Sequence, residues 1–229
     1  MATAPRLVLL VLQFLKVQLT DCTYLHSCER PQTAGGEVFR THAKCEVNRV
    51  VLGGHHLESG KWFSLEVLPH QAPYLFKSDG QSQWASTTAE LLAVLIALHL
   101  FGYLEVGRRN NLPPLHVGAG TDNLANEHLL KKGLTTKWPL CLVFMQLTEA
   151  LMRAHVHVSL DWRPRDENCL ADALTNGDFR AVDPGSRIFC VWEQFDFSLL
   201  QRLWTRRRCV PQCTTGTLVN LRSRLGKND

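Results

Sequence analysis

The sequence lacks the residue patterns that mark several common protein classes. It contains no internal repeats and no low-complexity tract, which argues against solenoid and fibrous architectures. Its eight cysteines are scattered, and Cys141 lies inside an apolar run, where a thiol acts as a small hydrophobe. No Cys-X-X-Cys pair and no Cys/His quartet has zinc-site spacing, and the Cys209–Cys213 pair comes nearest. The cysteine pattern therefore predicts a reducing compartment and no cysteine-based metal site.

The chain also lacks a strong excess of charge of either sign. Its formal net charge is +4 and its pI is about 8.7. Such mild basicity permits contact with nucleic acid but does not indicate it, because many enzymes share it. Hydrophobic residues make up 45% of the chain and charged residues 20%, which predicts a packed core rather than disorder. A length of 229 residues fits one domain with extensions, or at most two small domains.

The N-terminus lacks an apolar run long enough to span a bilayer. Gln13 and Lys16 interrupt the apolar stretch, and no clear small-residue cleavage site follows it. We expect an amphipathic helix there, with an apolar face that contains Leu7, Leu10, Val11, Phe14 and Val17. A cleaved signal peptide is the alternative. The helix interpretation predicts an intracellular protein, nuclear or cytoplasmic, without membrane association, whereas the alternative predicts secretion.

Apolar periodicity and turn residues predict an α/β order of elements along the rest of the chain. Three strands come first, and Ser59-Gly60 predicts a hairpin between the last two. The predicted strands are Val38–Cys45, Arg49–Glu58, Lys61–Leu68, Leu115–Ala119 and His155–Trp162, and the predicted helices are Trp84–Gly102, Asn123–Lys132, Thr136–His155 and Asp166–Thr175. An antiparallel start followed by strand–helix alternation predicts a mixed sheet with helices on both faces.

Three acidic residues fall where predicted strands and helices begin or end. Asp122 follows a buried strand, while Glu90 and Asp172 lie in the first turns of two helices. Carboxylate oxygens gathered at such positions are the ligands that hard divalent cations prefer. Each acid also has a simpler explanation on its own. Glu90 fits a capping box that starts at Thr87, and Asp122 fits a helix cap. Asp172 fits a surface pair with a nearby arginine. Taken together, the three acids favour a metal site.

Three stretches of the sequence resemble one known family. They are STTAELLAVLIAL (residues 86–98), GAGTDN (118–123) and WRPRDENCLADALTNGD (162–178). With the element order, they resemble the ribonuclease H domain that follows reverse transcriptase in retrotransposon polyproteins, in particular degenerate copies of the dinoflagellate type. The resemblance implies a ribonuclease H-like α/β fold with a mixed five-stranded sheet in residues 37–180. It makes residues 1–36 a helix and linker after an upstream reverse transcriptase region, and residues 181–229 a C-terminal extension with a basic tail.

The resemblance also implies a metal site. In this family four acids hold two Mg²⁺ or Mn²⁺ ions, and three of them carry over to Glu90, Asp122 and Asp172 as catalytic metal ligands. The fourth, a metal-bridging Asp in the middle of the first strand, is replaced by His42 within the segment RTHAK (40–44). A neutral imidazole is a softer ligand that suits Zn or Mn better than Mg, and a protonated imidazole repels cations.

The function implied by the resemblance is endonucleolytic cleavage of RNA in RNA–DNA hybrids, weakened by His42. A second departure from the family is Trp162, which stands where related elements have a His. Basic residues near the predicted site would contact phosphates, although the lysines also fit a solvated helix end. The candidate nucleic-acid-binding residues are Lys131, Lys132, Arg163, Arg165 and Asn168. Two other classes stay open: an inactive nucleic-acid-binding or structural remnant of the same fold, and an unrelated secreted protein.

Overall fold

The computed structural model describes residues 36–105 and 114–209. Within these residues the chain forms five strands and five α-helices. The strands are β1 (Glu37–Glu46), β2 (Arg49–His56), β3 (Trp62–Val67), β4 (Leu115–Thr121) and β5 (Val156–Trp162). The helices are α1 (Ser86–Leu100), α2 (Leu124–Lys132), α3 (Leu140–Ala154), α4 (Cys169–Thr175) and α5 (Ser198–Cys209). The predicted N-terminal helix and the basic tail after residue 209 lie outside the described residues.

The five strands form a mixed sheet in the order β3-β2-β1-β4-β5. The first three strands are antiparallel neighbours, whereas β4 pairs in parallel with both β1 and β5. The two hairpin turns pass through Asn48 and Gly60, whose φ values of 59° and 66° lie in the left-handed region that these residue types tolerate best. The predicted antiparallel start and the mixed five-stranded sheet are confirmed.

Helix α1 lies inside the protein, which explains why it is apolar on all sides. Every residue from Leu91 to Leu98 is fully buried, and the helix packs on β1, β2 and α3. A helix covered all round needs no polar face. Residues Gln83–Leu100 would be long and apolar enough to cross a membrane, and 67% of that stretch is buried within this fold.

Helix α4 covers the opposite face of the sheet. Successive residues of a strand point to opposite faces, so Leu52 of β2 joins the core with α1 while the next residue, Gly53, faces α4. A Cβ atom at Gly53 would lie 3.0 Å from the Thr175 methyl carbon and 3.2 Å from the Leu174 Cβ. Glycine therefore allows the helix to lie close to the strand. Helices on both faces are confirmed, as the sequence predicted.

The segment after residue 180 packs against the same core as the sheet. The Ile188 N–H donates to the Trp62 carbonyl at 2.7 Å, and the Trp62 indole N–H donates to the Asp183 carbonyl at 2.7 Å. Helix α5 then places Leu200 and Leu203, which are 1% and 4% exposed, in the core beside α3. The domain boundary at residues 180 and 181 stays a prediction, and the residues on both sides of it share one core.

Replacing Leu200 with alanine is expected to lower the free energy of unfolding by about 2–5 kcal/mol, because it removes a buried side chain and leaves a cavity. Equilibrium unfolding in urea measures the change. The neighbouring, exposed Gln201→Ala is the control and should change stability by no more than about 0.5 kcal/mol. Equal small effects of the two substitutions would show that α5 does not belong to the core.

Candidate active site

Four side chains from different parts of the fold meet at one edge of the sheet. His42 lies in β1, Glu90 in α1, Asp122 directly after β4 and Asp172 in α4. The Nδ1 atom of His42 is 3.0 Å from Glu90 Oε1 and 3.2 Å from Asp122 Oδ1. Its Nε2 atom is 3.3 Å from Asp172 Oδ1. The imidazole ring of this four-residue cluster thus contacts all three carboxylates.

Glu90 enters the cluster from the interior of α1. The helix begins at Ser86 without a side-chain cap, so the capping box considered for Glu90 does not form. Glu90 lies further along the helix, where its Oε1 atom accepts the Ala43 N–H at 3.0 Å. The Oε2 atom is buried and has no hydrogen-bond partner among the described residues. The carboxylate is therefore oriented toward β1 by the strand backbone itself.

Asp122 is positioned by the pairing of β1 with β4. The parallel register sets Thr41 beside Thr121, so the residues that follow, His42 and Asp122, come together at the same edge. The cap of α2 is Asn123, whose side-chain oxygen accepts the Asn126 N–H at 3.3 Å. The cap considered for Asp122 is thus formed by the next residue.

Asp172 is the most exposed acid of the cluster, with 28% of its side chain accessible. Its Oδ1 atom accepts a hydrogen bond from Arg165 Nη2 at 2.9 Å, and its Oδ2 atom accepts one from Asn176 Nδ2 at 2.8 Å. The ion pair with an arginine, which is the simpler role that the sequence indicates for Asp172, is therefore present. Asp172 makes the contact with His42 as well. Since the Arg165 side chain is 75% exposed, that pair contributes at most about 1 kcal/mol.

The carboxylates keep the His42 ring positively charged. Burial by itself lowers the pKa of an imidazole. Here the hydrogen bonds to Asp122 and Glu90, and the charges of both carboxylates, outweigh burial and raise the pKa of His42 to about 10. The ring is consequently an imidazolium at neutral pH. It supplies the positive charge that acids set among apolar residues require.

The two acids nearest to the ring respond in opposite directions. Burial raises the pKa of Glu90, and the hydrogen bond and charge of His42 only partly offset it. Burial also acts to raise the pKa of Asp122, but the hydrogen bond and charge of His42 prevail and lower it. Asp122 is therefore the firmer anionic partner of the ring, whereas Glu90 depends on His42 to hold a charge.

The cluster contains metal-ligating atoms but does not suit a pair of Mg²⁺ ions. One ligand atom each from His42, Glu90 and Asp122 lies within 4.8 Å of the others, a spacing at which one ion could be bound. A Mg²⁺ pair needs oxygen ligands throughout, and a carboxylate that bridges the two ions. His42 offers nitrogen at the bridging position, where Mg²⁺ needs oxygen, and a single nitrogen cannot bridge two ions as a carboxylate does. The described residues therefore fit a single ion better than two.

The predicted nucleic-acid-binding residues occupy three kinds of position. Arg163 and Arg165 lie in the turn after β5, next to the cluster. Lys131 and Lys132 lie in the last turn of α2, and Lys131 pairs with Glu127. Asn168 is only 1% exposed, and its side-chain N–H donates to the Thr41 carbonyl at 2.9 Å. Through this hydrogen bond Asn168 joins α4 to β1. Its side chain is too deeply buried in this structure to contact nucleic acid.

Two surface features are a groove lined by lysines and an exposed tryptophan beside the cluster. Lys132 and Lys137 line a cavity of about 510 Å³ with Trp84, between the start of α1 and the end of α2. Trp162 is 44% exposed, and its indole N–H donates to the Asp122 carbonyl at 3.2 Å. The exposed indole of Trp162 thus lies directly beside Asp122.

Glu37 is a residue of this region that the sequence did not single out. Its carboxylate accepts hydrogen bonds from Arg40 Nε at 2.7 Å and from Arg163 Nη2 at 3.1 Å. A Cβ atom at position 120 would lie 1.9 Å from Glu37 Oε1, so Gly120 provides the space for this carboxylate. Arg40 also donates to the Glu167 carbonyl. These contacts hold the turn after β5 against β1. Nothing in the sequence indicates them, because Gly120 falls directly after the predicted strand rather than inside it.

No protein-family model matches the chain, and no curated protein matches it in sequence. Among solved structures, the chain is similar to LC11-RNase H1, isolated from compost and solved with an RNA/DNA hybrid, at 18% identity and a TM-score of 0.46, over 61% of this chain and 93% of that one. It is similar to RNase H1 from Halobacterium salinarum at 18% identity and a TM-score of 0.42, over 63% and 98% of the two chains. A foamy viral protease-reverse transcriptase, also solved with an RNA/DNA hybrid, matches at 15% identity and a TM-score of 0.43, over 71% and 23%. Likenesses at this level carry no information on the activity of this chain.

NMR titration of the histidine rings should find His42 still protonated at pH 8, with a pKa near 10. His55 is the matched control, because burial without a carboxylate hydrogen bond lowers its pKa to about 4. Since the folded-state pKa of His42 exceeds the ordinary 6.5, its stabilising effect is fully present below pH 6.5 and is lost as the pH rises through about 10. A neutral His42 ring at pH 7 would contradict the charge assignment.

Proposed function

We propose that the chain is a ribonuclease H-type domain that binds RNA–DNA hybrids and in which Mg²⁺-dependent cleavage of the RNA strand is strongly weakened. The observation that carries this proposal is the contact of the His42 ring with Glu90, Asp122 and Asp172. The acids carried over from the family resemblance occupy one site, and the substituted residue lies at its centre. The proposal includes an origin in a retrotransposon polyprotein of the dinoflagellate type, downstream of a reverse transcriptase, and an intracellular location.

Support for nucleic-acid binding comes from the side chains around the acids. Arg165 is 75% exposed beside Asp172, and Arg163 lies two residues before it in the same turn. Guanidinium groups bind phosphate oxygens well because their donors form a planar fork. The exposed indole of Trp162 offers a stacking surface next to them. Contacts of this kind position a backbone without reading its sequence.

Support for weakened cleavage comes from the charge balance of the cluster. Four carboxylates would carry the negative charge that two divalent ions neutralise. Three carboxylates and an imidazolium carry half of that charge, and the ring stands where a bridging oxygen is required. An ion pair at this site would have to displace the ring and its proton. Activation of a water by two ions is therefore strongly disfavoured.

A second candidate function is hybrid binding without any cleavage. The observation that favours it is the same ring contact, because His42 already neutralises the acids that would otherwise recruit metal. The two candidates share the binding surface and differ only in residual turnover. Cleavage measurements on the unaltered protein with Mg²⁺ and with Mn²⁺ separate them.

Replacing Arg165 with alanine should weaken binding of a labelled RNA–DNA hybrid and reduce the salt dependence of the binding constant by about one unit of slope, since one phosphate contact is lost. Fluorescence anisotropy at several salt concentrations measures both quantities. Arg153→Ala is the matched control. Arg153 pairs with Glu149 at 2.5 Å, as Arg165 pairs with Asp172, but it precedes β5 rather than following it. The seven residues of β5 span about 23 Å, so the control charge lies far from the cluster. Equal losses in the two variants would contradict a binding surface beside the acids.

Replacing His42 with aspartate should raise the rate of Mg²⁺-dependent cleavage of the RNA strand by at least about 100-fold, because it restores the fourth carboxylate. A gel assay with a labelled hybrid measures the rate. Adding Asp172→Asn to His42→Asp should abolish the gain. The single substitution should also make the stability of the protein depend on Mg²⁺, because the acids lose their built-in cation. Equal, robust cleavage by the unaltered protein and by His42→Asp would contradict the proposed weakening.

A further inference from the structure

The mismatch between the cluster and a Mg²⁺ pair points to a different ion. We propose that His42, Glu90 and Asp122 bind a single Zn²⁺ ion, with Asp172 orienting the imidazole ring from outside the coordination shell. The proposal rests on the geometry and chemistry of these four side chains. It is independent of hybrid binding, so either proposal can fail without the other.

The separations between the ligand atoms match those of a tetrahedral zinc site. Zinc bonds to nitrogen and to carboxylate oxygen are about 2.0–2.1 Å long, so neighbouring ligand atoms of a tetrahedron lie about 3.3 Å apart. His42 Nδ1 is 3.0 Å from Glu90 Oε1 and 3.2 Å from Asp122 Oδ1. Both separations are therefore close to those that zinc imposes, and the third, between Glu90 and Asp122, is within 4.8 Å.

The three ligands also match zinc in chemical type and in charge. Imidazole nitrogen is a ligand that zinc favours, whereas Mg²⁺ takes oxygen ligands and keeps much of its hydration shell. The charges of Glu90 and Asp122 balance those of one divalent ion. Glu90 is only 4% exposed, and its Oε2 atom has no hydrogen-bond partner among the described residues. An ion bound to this carboxylate through Oε1 would bring a positive charge next to the buried Oε2 atom, which otherwise has none of its hydrogen-bonding capacity used.

The second nitrogen of the ring has the partner that zinc-bound histidines usually have. A histidine that ligates metal through one nitrogen commonly donates its other N–H to a carboxylate, which fixes the ring. His42 Nε2 is 3.3 Å from Asp172 Oδ1, on the side of the ring away from Glu90 and Asp122. Asp172 is in turn held by Arg165 and Asn176. Asp172 is accordingly a positioning residue here, whereas in a Mg²⁺ pair it would be a ligand.

Another pair of histidines provides the control for unspecific zinc binding. His116 and His157 lie opposite each other on β4 and β5, with ring centroids 5.2 Å apart. They lie outside the cluster but could also attract zinc. Replacing His116 with alanine therefore separates binding at this pair from binding at the cluster.

The test is zinc binding by the full chain after treatment with a chelator, measured by metal analysis after dialysis against Zn²⁺ in excess Mg²⁺. Cobalt absorption spectra report the ligand geometry independently. The unaltered protein should bind one equivalent, and His42→Gln, Glu90→Gln and Asp122→Asn should each abolish binding. Asp172→Asn should weaken it by about 10–100-fold without abolishing it. His116→Ala should leave it unchanged. Circular dichroism establishes that each variant is folded.

A folded unaltered protein that binds no zinc would overturn the proposal, and so would full binding by folded Asp122→Asn. Loss of zinc in His116→Ala alone would assign the ion to the histidine pair and overturn it as well. As a second measurement, Zn²⁺ should raise the melting temperature of the unaltered protein and of His116→Ala, but not that of Asp122→Asn. None of these outcomes depends on hybrid binding, so a failure here is distinguishable from a failure of the proposed function.

Discussion

The fold at the edge of the sheet depends on one imidazole ring held between three carboxylates. His42 connects its own strand with α1, with the end of β4 and with α4 through contacts of 3.0–3.3 Å. Without a positive partner, a carboxylate as deeply buried as that of Glu90 would be strongly destabilising. The ring supplies that partner from within the chain. The charge that makes the site chemically unusual is thus also the charge that allows these elements to pack.

This arrangement changes the relation between the protein and a metal ion. In a site made only of acids, the ions complete the charge balance, and the site attracts them strongly. Here the balance is largely complete before any ion arrives, because the proton on His42 acts as the counter-charge. An ion must offer more than charge, and affinity for nitrogen is what distinguishes zinc from magnesium. Of the two arginines in the turn after β5, Arg163 is held by Glu37, whereas Arg165 pairs with Asp172 of the cluster. The turn is therefore linked to the cluster through Arg165.

The sequence predicted the fold and the gathering of the acids, but not the contacts that arrange them. The alternation of polar and apolar residues in the strands and the long apolar stretch of α1 are local sequence patterns. The strands of the sheet and α1 could therefore be predicted from the sequence alone. Asn123 rather than Asp122 caps α2. Because Asn and Asp have similar capping preferences, the sequence does not show which of two adjacent residues forms the cap. The contact of Glu37 with Arg163 depends on the pairing of β1 with β4 and on the space left by Gly120. No local pattern encodes such an encounter between distant segments.

The packing of α5 has a consequence for how the chain is made and processed. Leu200 and Leu203 complete a core whose first strand begins at Glu37. During synthesis the earlier elements emerge first, yet they expose an apolar surface until these late residues arrive. In a polyprotein, proteolytic maturation between residue 181 and α5 would remove part of the hydrophobic interior rather than release a finished domain. Under the proposed polyprotein origin, a cleavage junction that leaves this core intact lies outside this span.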